Sequence, residues 1–175
     1  MSTLRRHGLF LKGGAAASWV PLDADVLLKH TKTSTVKYTK ITTTAWDGYA
    51  YRNIASQVGS EIKETNPSAT VNRFVGFYND GLTDADKYKN FDYAIQASPS
   101  GGTNFRAWER GVQKYSEASV MSTNTVIRIK KIAGAAEYYA DDILKYTSIQ
   151  DFNGAKFGCS VYNINEFADE MYYKL

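Results

Sequence analysis

From about residue 35 onward, hydrophobic and polar residues alternate in short runs separated by turn-forming residues. Val36 to Thr43 is the first such run. Residues 46–54 put Trp46, Gly48, Ala50 and Arg52 on one face and Tyr49 and Tyr51 on the other. Over residues 70–79, Val71, Arg73, Val75 and Phe77 oppose Asn72, Phe74, Gly76 and Tyr78. Phe91, Tyr93 and Ile95 alternate with Asp92, Ala94 and Gln96, which directs Asp92 outward. Runs at 105–110, 125–132, 136–140, 143–147 and 156–162 complete a set of about nine or ten strands, and strands this short with turn signals between them specify an all-β sandwich or barrel. Residues 112–122 and 166–174 have room for a short helical turn at most. No internal repeat is visible.

Tyrosine and threonine enrichment agrees with strands, whose pleated surface suits wide and β-branched side chains; aromatics make up 14% of the chain, with 13 tyrosines. Charge is unevenly placed. Residues 1–40 carry seven Lys/Arg against two Asp, whereas the remainder carries 14 basic against 16 acidic residues. Gly13-Gly14 and Pro21 make residues 1–34 a poor helix or strand. This segment is therefore expected to be an extended arm for anchoring or assembly, ahead of a domain at 35–175. Within the arm, Arg5, Arg6, Leu9, Phe10, Leu11, Trp19 and Val20 are the candidates for docking on a partner. Arg5-Arg6 superficially resembles a twin-arginine export signal, but Lys12 interrupts the apolar stretch behind it, so no signal peptide is inferred. No apolar run approaches the roughly 20 residues that cross a bilayer.

Several segments, in order, resemble the concanavalin A-like (laminin-G-like) jelly-roll modules found in phage appendages and bacterial surface proteins. Thr44-Ala45-Trp46-Asp47-Gly48-Tyr49-Ala50-Tyr51 is similar to the early tryptophan strand of that family. Phe74-Val75-Gly76-Phe77 followed by Phe91-Asp92-Tyr93-Ala94-Ile95 resembles its central pair. Phe105-Arg106-Ala107-Trp108-Glu109-Arg110-Gly111-Val112 resembles its aromatic-Glu-Asn-Gly-Val turn, and residues 125–148 its final hairpin. The hairpin turn is Asp141-Asp142 where the family has Asn-Gly, a pair that supplies two residues with positive φ; the loop is expected to differ. The resemblance implies a two-sheet antiparallel jelly-roll sandwich, here with an extended N-terminal arm, and ancillary modules that bind glycans or serve as adhesive heads. Fold alone does not fix function.

Candidate chemistry is sparse. Both histidines, His7 and His30, fall in the arm, which leaves the 35–175 domain without a catalytic imidazole. Cys159, the single cysteine, excludes an internal disulfide and reads as a small buried residue. Glucanases of related fold need paired carboxylates across a cleft; their Glu-x-Asp-x-Glu strand is absent, and Glu166-Phe167-Ala168-Asp169-Glu170 has the wrong spacing. No nucleotide-binding glycine motif occurs, so no cofactor is expected. Asp80, Asp84 and Asp86 gather hard oxygen ligands in one loop and are weak calcium candidates against a solvated-loop reading; no metal is expected. Arg5-Arg6 and Lys130-Lys131 are the only adjacent basic pairs, so nucleic acid is not expected as a partner. Glycan sites set an aromatic face against a sugar's C–H surface, and Tyr49, Tyr51, Tyr78, Tyr88 and Trp108 are the candidates; Trp46 and Phe91 are assigned to the core.

The sequence thus favours a non-enzymatic structural or adhesive protein. The leading expectation is a virion component, made in the host cytoplasm, such as a decoration, spike or fibre-tip protein. It would dock on other subunits of a homo-oligomer or on capsid or tail proteins, and surface glycans are a further partner. The alternative is a soluble carbohydrate-binding lectin domain. A glucanase-type hydrolase is the third reading.

Overall fold

The structure, a computed structural model, describes residues 18–65, 71–98, 104–152, 156–163 and 165–175. It is an antiparallel β-sandwich. Sixteen strands are present among the described residues: β1 (Val20–Pro21), β2 (Val26–Leu28), β3 (His30–Ser34), β4 (Lys37–Lys40), β5 (Tyr49–Ala55), β6 (Glu61–Thr65), β7 (Arg73–Tyr78), β8 (Phe91–Ser98), β9 (Asn104–Glu109), β10 (Val112–Glu117), β11 (Val126–Ile132), β12 (Ala135–Ala140), β13 (Ile143–Thr147), β14 (Lys156–Val161), β15 (Phe167–Ala168) and β16 (Met171–Lys174). A single 3-10 turn, Lys87–Asn90, precedes β8.

One sheet has six strands in the order β1-β16-β6-β11-β12-β13, and the facing sheet has seven in the order β10-β9-β8-β7-β14-β5-β2. A small third sheet, β15-β4-β3, covers one side. The meanders β7 to β10 and β11 to β13 are sequential hairpins, while β14 inserts between β5 and β7 and β16 between β1 and β6. These long-range insertions close the jelly roll.

Two-residue alternation explains the layers. Val75 and Phe77 of β7, Tyr93, Ile95 and Ala97 of β8, Phe105 and Ala107 of β9, and Phe157, Cys159 and Val161 of β14 point between the sheets. They meet Ile62, Ile127, Ile129, Ala136, Tyr138, Ala140 and Met171 from the six-stranded sheet. The intervening residues of β5, β7 and β8 build a second cluster around Tyr51, Phe74, Tyr78, Phe91 and Ala94 on the outer face of the seven-stranded sheet.

Several expectations change here. Residues 20–34, expected in the arm, form three strands: β1 pairs with β16 and β2 with β5 in the two main sheets, and β3 pairs with β4 in the small one. Leu22 and Ala24 are fully buried, and Tyr38 Oη accepts the Ala24 N–H at 2.7 Å. Residues 112–117 and 171–174, within the two segments that left room for a short helical turn at most, are strands β10 and β16. Strand β6 escaped the pattern because its inward positions are Ile62 and a carboxylate, Glu64. Asp92 does not face solvent. Tyr93 pairs with Phe77 but Phe91 pairs with Tyr78, so Asp92 is the extra residue of a β-bulge. The bulge moves Phe91 to the outer face beside Ala94 and buries the Asp92 carboxylate, which accepts from Arg110 Nε at 2.8 Å and Asn79 Nδ2 at 3.0 Å.

Asp141 and Asp142 keep the two-residue hairpin between β12 and β13, with φ of 49° and 60°. The loop therefore retains the turn with two left-handed residues and does not take a different form.

Candidate functional site

The five aromatic candidates converge on one surface. Tyr49 and Tyr51 come from β5, Tyr78 from β7, Tyr88 from the 3-10 turn and Trp108 from β9; all belong to or pack against the outer-face cluster. Tyr49, Tyr51 and Tyr78 form a triad with ring centroids 4.9–5.4 Å apart. Phe74 joins the other half, 5.2 Å from Tyr88 and 5.5 Å from Trp108, with Tyr88 and Trp108 5.7 Å apart. Trp46 stands edge-on to Phe74 at 4.8 Å and to Tyr88 at 5.7 Å.

Small residues in the sheet make room for this layer. Tyr51, Gly158, Gly76 and Ala94 lie in register across four adjacent strands. The two central positions carry no side chain, so the Tyr51 and Tyr78 rings stack over them, 5.1 Å apart and 17° from parallel. A Cβ on Gly158 would come 2.7 Å from the Ala50 carbonyl oxygen and 2.8 Å from Tyr51 Cβ.

Exposure separates the five. Tyr51 and Tyr78 are only 7% and 3% exposed, which makes them packing residues. Tyr49, Tyr88 and Trp108 are half-buried and keep ring surface at the rim, as does Trp46, which was assigned to the core. Burial pushes the Tyr78 hydroxyl up to about 12, so it stays protonated, 3.4 Å from Asn90 Nδ2.

Polar groups flank the Trp108 end. Gln96 and Asn104 share the sheet parity of Ala94 and Trp108. Gln96 Nε2 donates to Asn72 Oδ1 at 3.0 Å, but Gln96 Oε1, Asn104 Oδ1 and Trp108 Nε1 have no hydrogen-bond partner among the described residues. Two acceptors and one donor on this face are thus buried without a partner among the described residues. Buried polar atoms are rarely left so in proteins unless water or a ligand completes them.

The remaining sequence candidates fall elsewhere. Asp80 pairs with Lys156 at 2.8 Å, and Asp86 with Lys89 at 2.9 Å. Asp84 accepts the Asp86 N–H at 2.9 Å in an Asx turn. The three carboxylates are thus engaged by lysines and backbone, and among the described residues no three His, Cys, Asp or Glu side chains group to hold a metal. Arg5, Arg6, Leu9, Phe10 and Leu11 lie outside the described residues. Trp19 and Val20 sit on the sandwich: Val20 pairs with Tyr173, and Trp19 receives the ammonium groups of Lys63 and Lys174 over its ring.

His30, expected outside the body, is buried within it. One ring nitrogen, Nδ1, lies 2.9 Å from the Leu28 carbonyl oxygen and donates to it, while Nε2 accepts the Val161 N–H at 3.2 Å. Burial lowers its pKa to about 4, so the ring is neutral and both nitrogens are spent on backbone. Cys159 is fully buried, and burial raises its thiol far above the usual range.

What the sequence missed is a cleft on the opposite sheet, lined by Trp19, Lys63, Val126, Arg128, Asp141 and Asp142. Its residues come from four separate segments, and no local motif announces them.

No protein-family model matches the chain, and no curated protein matches it in sequence. Its fold is nonetheless shared with solved structures. A protein of unknown function with galectin-like fold from Bacillus subtilis superposes with a TM-score of 0.61 at 8% identity, over 91% of this chain and 96% of that one. The carbohydrate recognition domain of Emp47p gives 0.56 at 9% identity, over 83% and 85%. The carbohydrate binding module CBM66 from Bacillus subtilis gives 0.53 at 9% identity, over 90% and 95%. The sandwich is a lectin-like jelly roll. Identities this low show the fold alone.

Proposed function

We propose that this chain is a carbohydrate-binding, lectin-like module with no catalytic function of its own. The observation that carries the reading is the half-exposed aromatic rim of Tyr49, Tyr88, Trp108 and Trp46 on one face of the seven-stranded sheet. On the same sheet face, Gln96, Asn104 and Trp108 each bury a polar atom that has no partner among the described residues. An aromatic edge accepts the C–H face of a sugar. Carbohydrate recognition domains among the fold neighbours support the same reading.

The mechanism is binding and orientation only. His30 is committed to backbone hydrogen bonds and Cys159 is sealed in the core, so neither serves as base or nucleophile. A single sugar contact of this kind gives about millimolar affinity, near −4 kcal/mol. Multivalent display multiplies it by about 10²–10⁴.

The virion reading rested on the arm, on a single module with no exporter and no catalytic groups, and on sheet edges that neighbours in an assembly would cover. Of the arm's docking candidates, Trp19 and Val20 belong to the sandwich and the others lie outside the described residues. The carbohydrate-binding domains among the fold neighbours favour the lectin reading.

The test is a glycan array probed with the full chain in tetravalent display. Retention on a restricted set of glycans is expected, lost in Trp108→Ala and in Tyr88→Ala. Failure of the tetravalent protein to bind any glycan, or binding unchanged in both variants, would overturn the proposal.

A further inference from the structure

We propose that the cleft on the outer face of the six-stranded sheet is a second, separate saccharide site, built to take a neutral sugar unit.

The cleft encloses about 390 Å³, within the usual range of small-molecule sites of about 300–1,000 Å³. Its floor is set by sheet register, because Lys63 stands opposite Arg128 on β11 and opposite Tyr172 on β16. Arg128 is fixed from several sides. It donates to Glu61 Oε2 at 2.9 Å and to Asp142 Oδ1 at 3.0 Å, and its guanidinium lies 3.9 Å from the centroid of Tyr139. Lys63 differs. Its ammonium lies 4.4 Å from the Trp19 ring centroid and 5.5 Å from that of Tyr172, and it has no carboxylate partner among the described residues. Trp19 and Val126 supply apolar wall.

The remaining wall is the hairpin turn. A turn with two positive φ values is most easily made by Asn-Gly. Here both positions are aspartate, held at φ 49° and 60°. Aspartate tolerates the left-handed region better than most residues, and both carboxylates line the cleft. Asp141 Oδ1 accepts the Val126 N–H at 2.8 Å, and Asp142 Oδ1 engages Arg128. Each contact uses one carboxylate oxygen and leaves the other available to a ligand.

The chemistry selects the ligand. Two cations and two carboxylates line the cleft, so its formal charge is zero. An anion would meet both aspartates, and a cation would meet Lys63 and Arg128. A wholly apolar ligand would desolvate four charges without replacing their hydrogen bonds. A sugar ring fits each group: its hydroxyls donate to the carboxylates and accept from Lys63, and its C–H surface meets Val126 with Trp19 beside it. The site rests on residues independent of the aromatic rim, and together the two would make one chain bivalent.

The chain has three tryptophans, Trp19, Trp46 and Trp108, whose indole N–H signals separate the two faces in one NMR spectrum. The ¹⁵N-labelled full chain is titrated into the millimolar range with maltotriose, mannotriose, galactotriose and kestose, and with trigalacturonate as the anionic probe. At least one neutral probe is expected to shift the Trp19 signal saturably. Asp142→Asn, its fold verified by the same spectrum, is expected to weaken that response about tenfold while leaving Trp46 and Trp108 responses unchanged. A Trp19 signal unmoved by every neutral probe, moved by trigalacturonate alone, or titrating identically in Asp142→Asn would overturn the proposal. The Trp46 and Trp108 signals report the aromatic-rim reading separately, so either reading can fail without the other.

Discussion

Arg73 Nε lies 2.8 and 2.7 Å from the two carboxylate oxygens of Glu64, and both side chains are 0% exposed. One comes from each sheet, so the pair ties the sandwich together through its core. Glu64 Oε1 also accepts the Asp169 N–H at 3.1 Å, and Arg73 Nη1 donates to the Val71 carbonyl at 3.2 Å. Removing one partner strands a buried charge, which costs about 3–5 kcal/mol. Glu64→Leu and Arg73→Met are each expected to lose that much in urea unfolding. The double variant is expected to recover most of the loss, because no unpaired charge remains.

His30 makes stability depend on pH. Its folded-state pKa of about 4 lies below the ordinary imidazole value of 6.5. The unfolded chain therefore takes up a proton first, and the folded state loses stability as pH falls from about 6.5 to 4. Above 6.5 the contribution is complete. The full span is about 3 kcal/mol. Asp47 and Lys40 flank the ring with opposite effects, and burial is the dominant cause. Asp92 and Glu64, raised by burial, act in the reverse sense, losing stability as pH rises through their folded-state values. The comparison is therefore between wild type and His30→Gln. Urea unfolding at pH 7, 5.5 and 4.5 is expected to show a gap between them that shrinks on acidification.

Gly76 is the tightest point of the aromatic layer. A Cβ there would press on the Tyr93 carbonyl oxygen and lie 2.7 Å from Ala94 Cα, both backbone atoms of the neighbouring strand. Gly76→Ala is expected to cost about 3 kcal/mol or more and to disturb Tyr51 and Tyr78 stacking, read as lost near-ultraviolet dichroism. A thermal midpoint unchanged from wild type would contradict this packing.

Asp142 trades stability for its position. An L-residue in the left-handed region costs about 1–2 kcal/mol, partly offset in a glycine variant by about 0.5–1 kcal/mol of lost backbone freedom. Its ion pair with Arg128 adds little, since the Asp142 side chain is 87% exposed. Asp142→Gly is expected to gain about 0.5 kcal/mol, a rise of roughly 1–2 °C in thermal midpoint. A clear loss would mean that the carboxylate stabilises the turn.

Alternation alone gave the strands from Tyr49 to Val161 to within a few residues, since one face of each meets a core and the pleat has period two. It failed at β6, β10 and β16, where charged, polar and aromatic residues alternate without a clear apolar stripe. It also failed over residues 20–34, whose sparse apolar positions, Leu22 and Ala24, find burial only against distant strands. The aromatic candidates were legible as residue types. That they share one face, and that Tyr51 and Tyr78 are sealed while Trp46 is not, depended on strand order and on the bulge at Asp92.

The sequence by itself determined the all-β class and most of the turn positions, because these depend on neighbours within a few residues. Only tertiary structure decided the rest. The inward Glu64 became tenable through Arg73 from the facing sheet, the buried His30 through Leu28 and Val161, and the Trp19 cleft through four segments meeting at one surface. Each depends on groups brought together from distant parts of the chain, which local alternation does not encode.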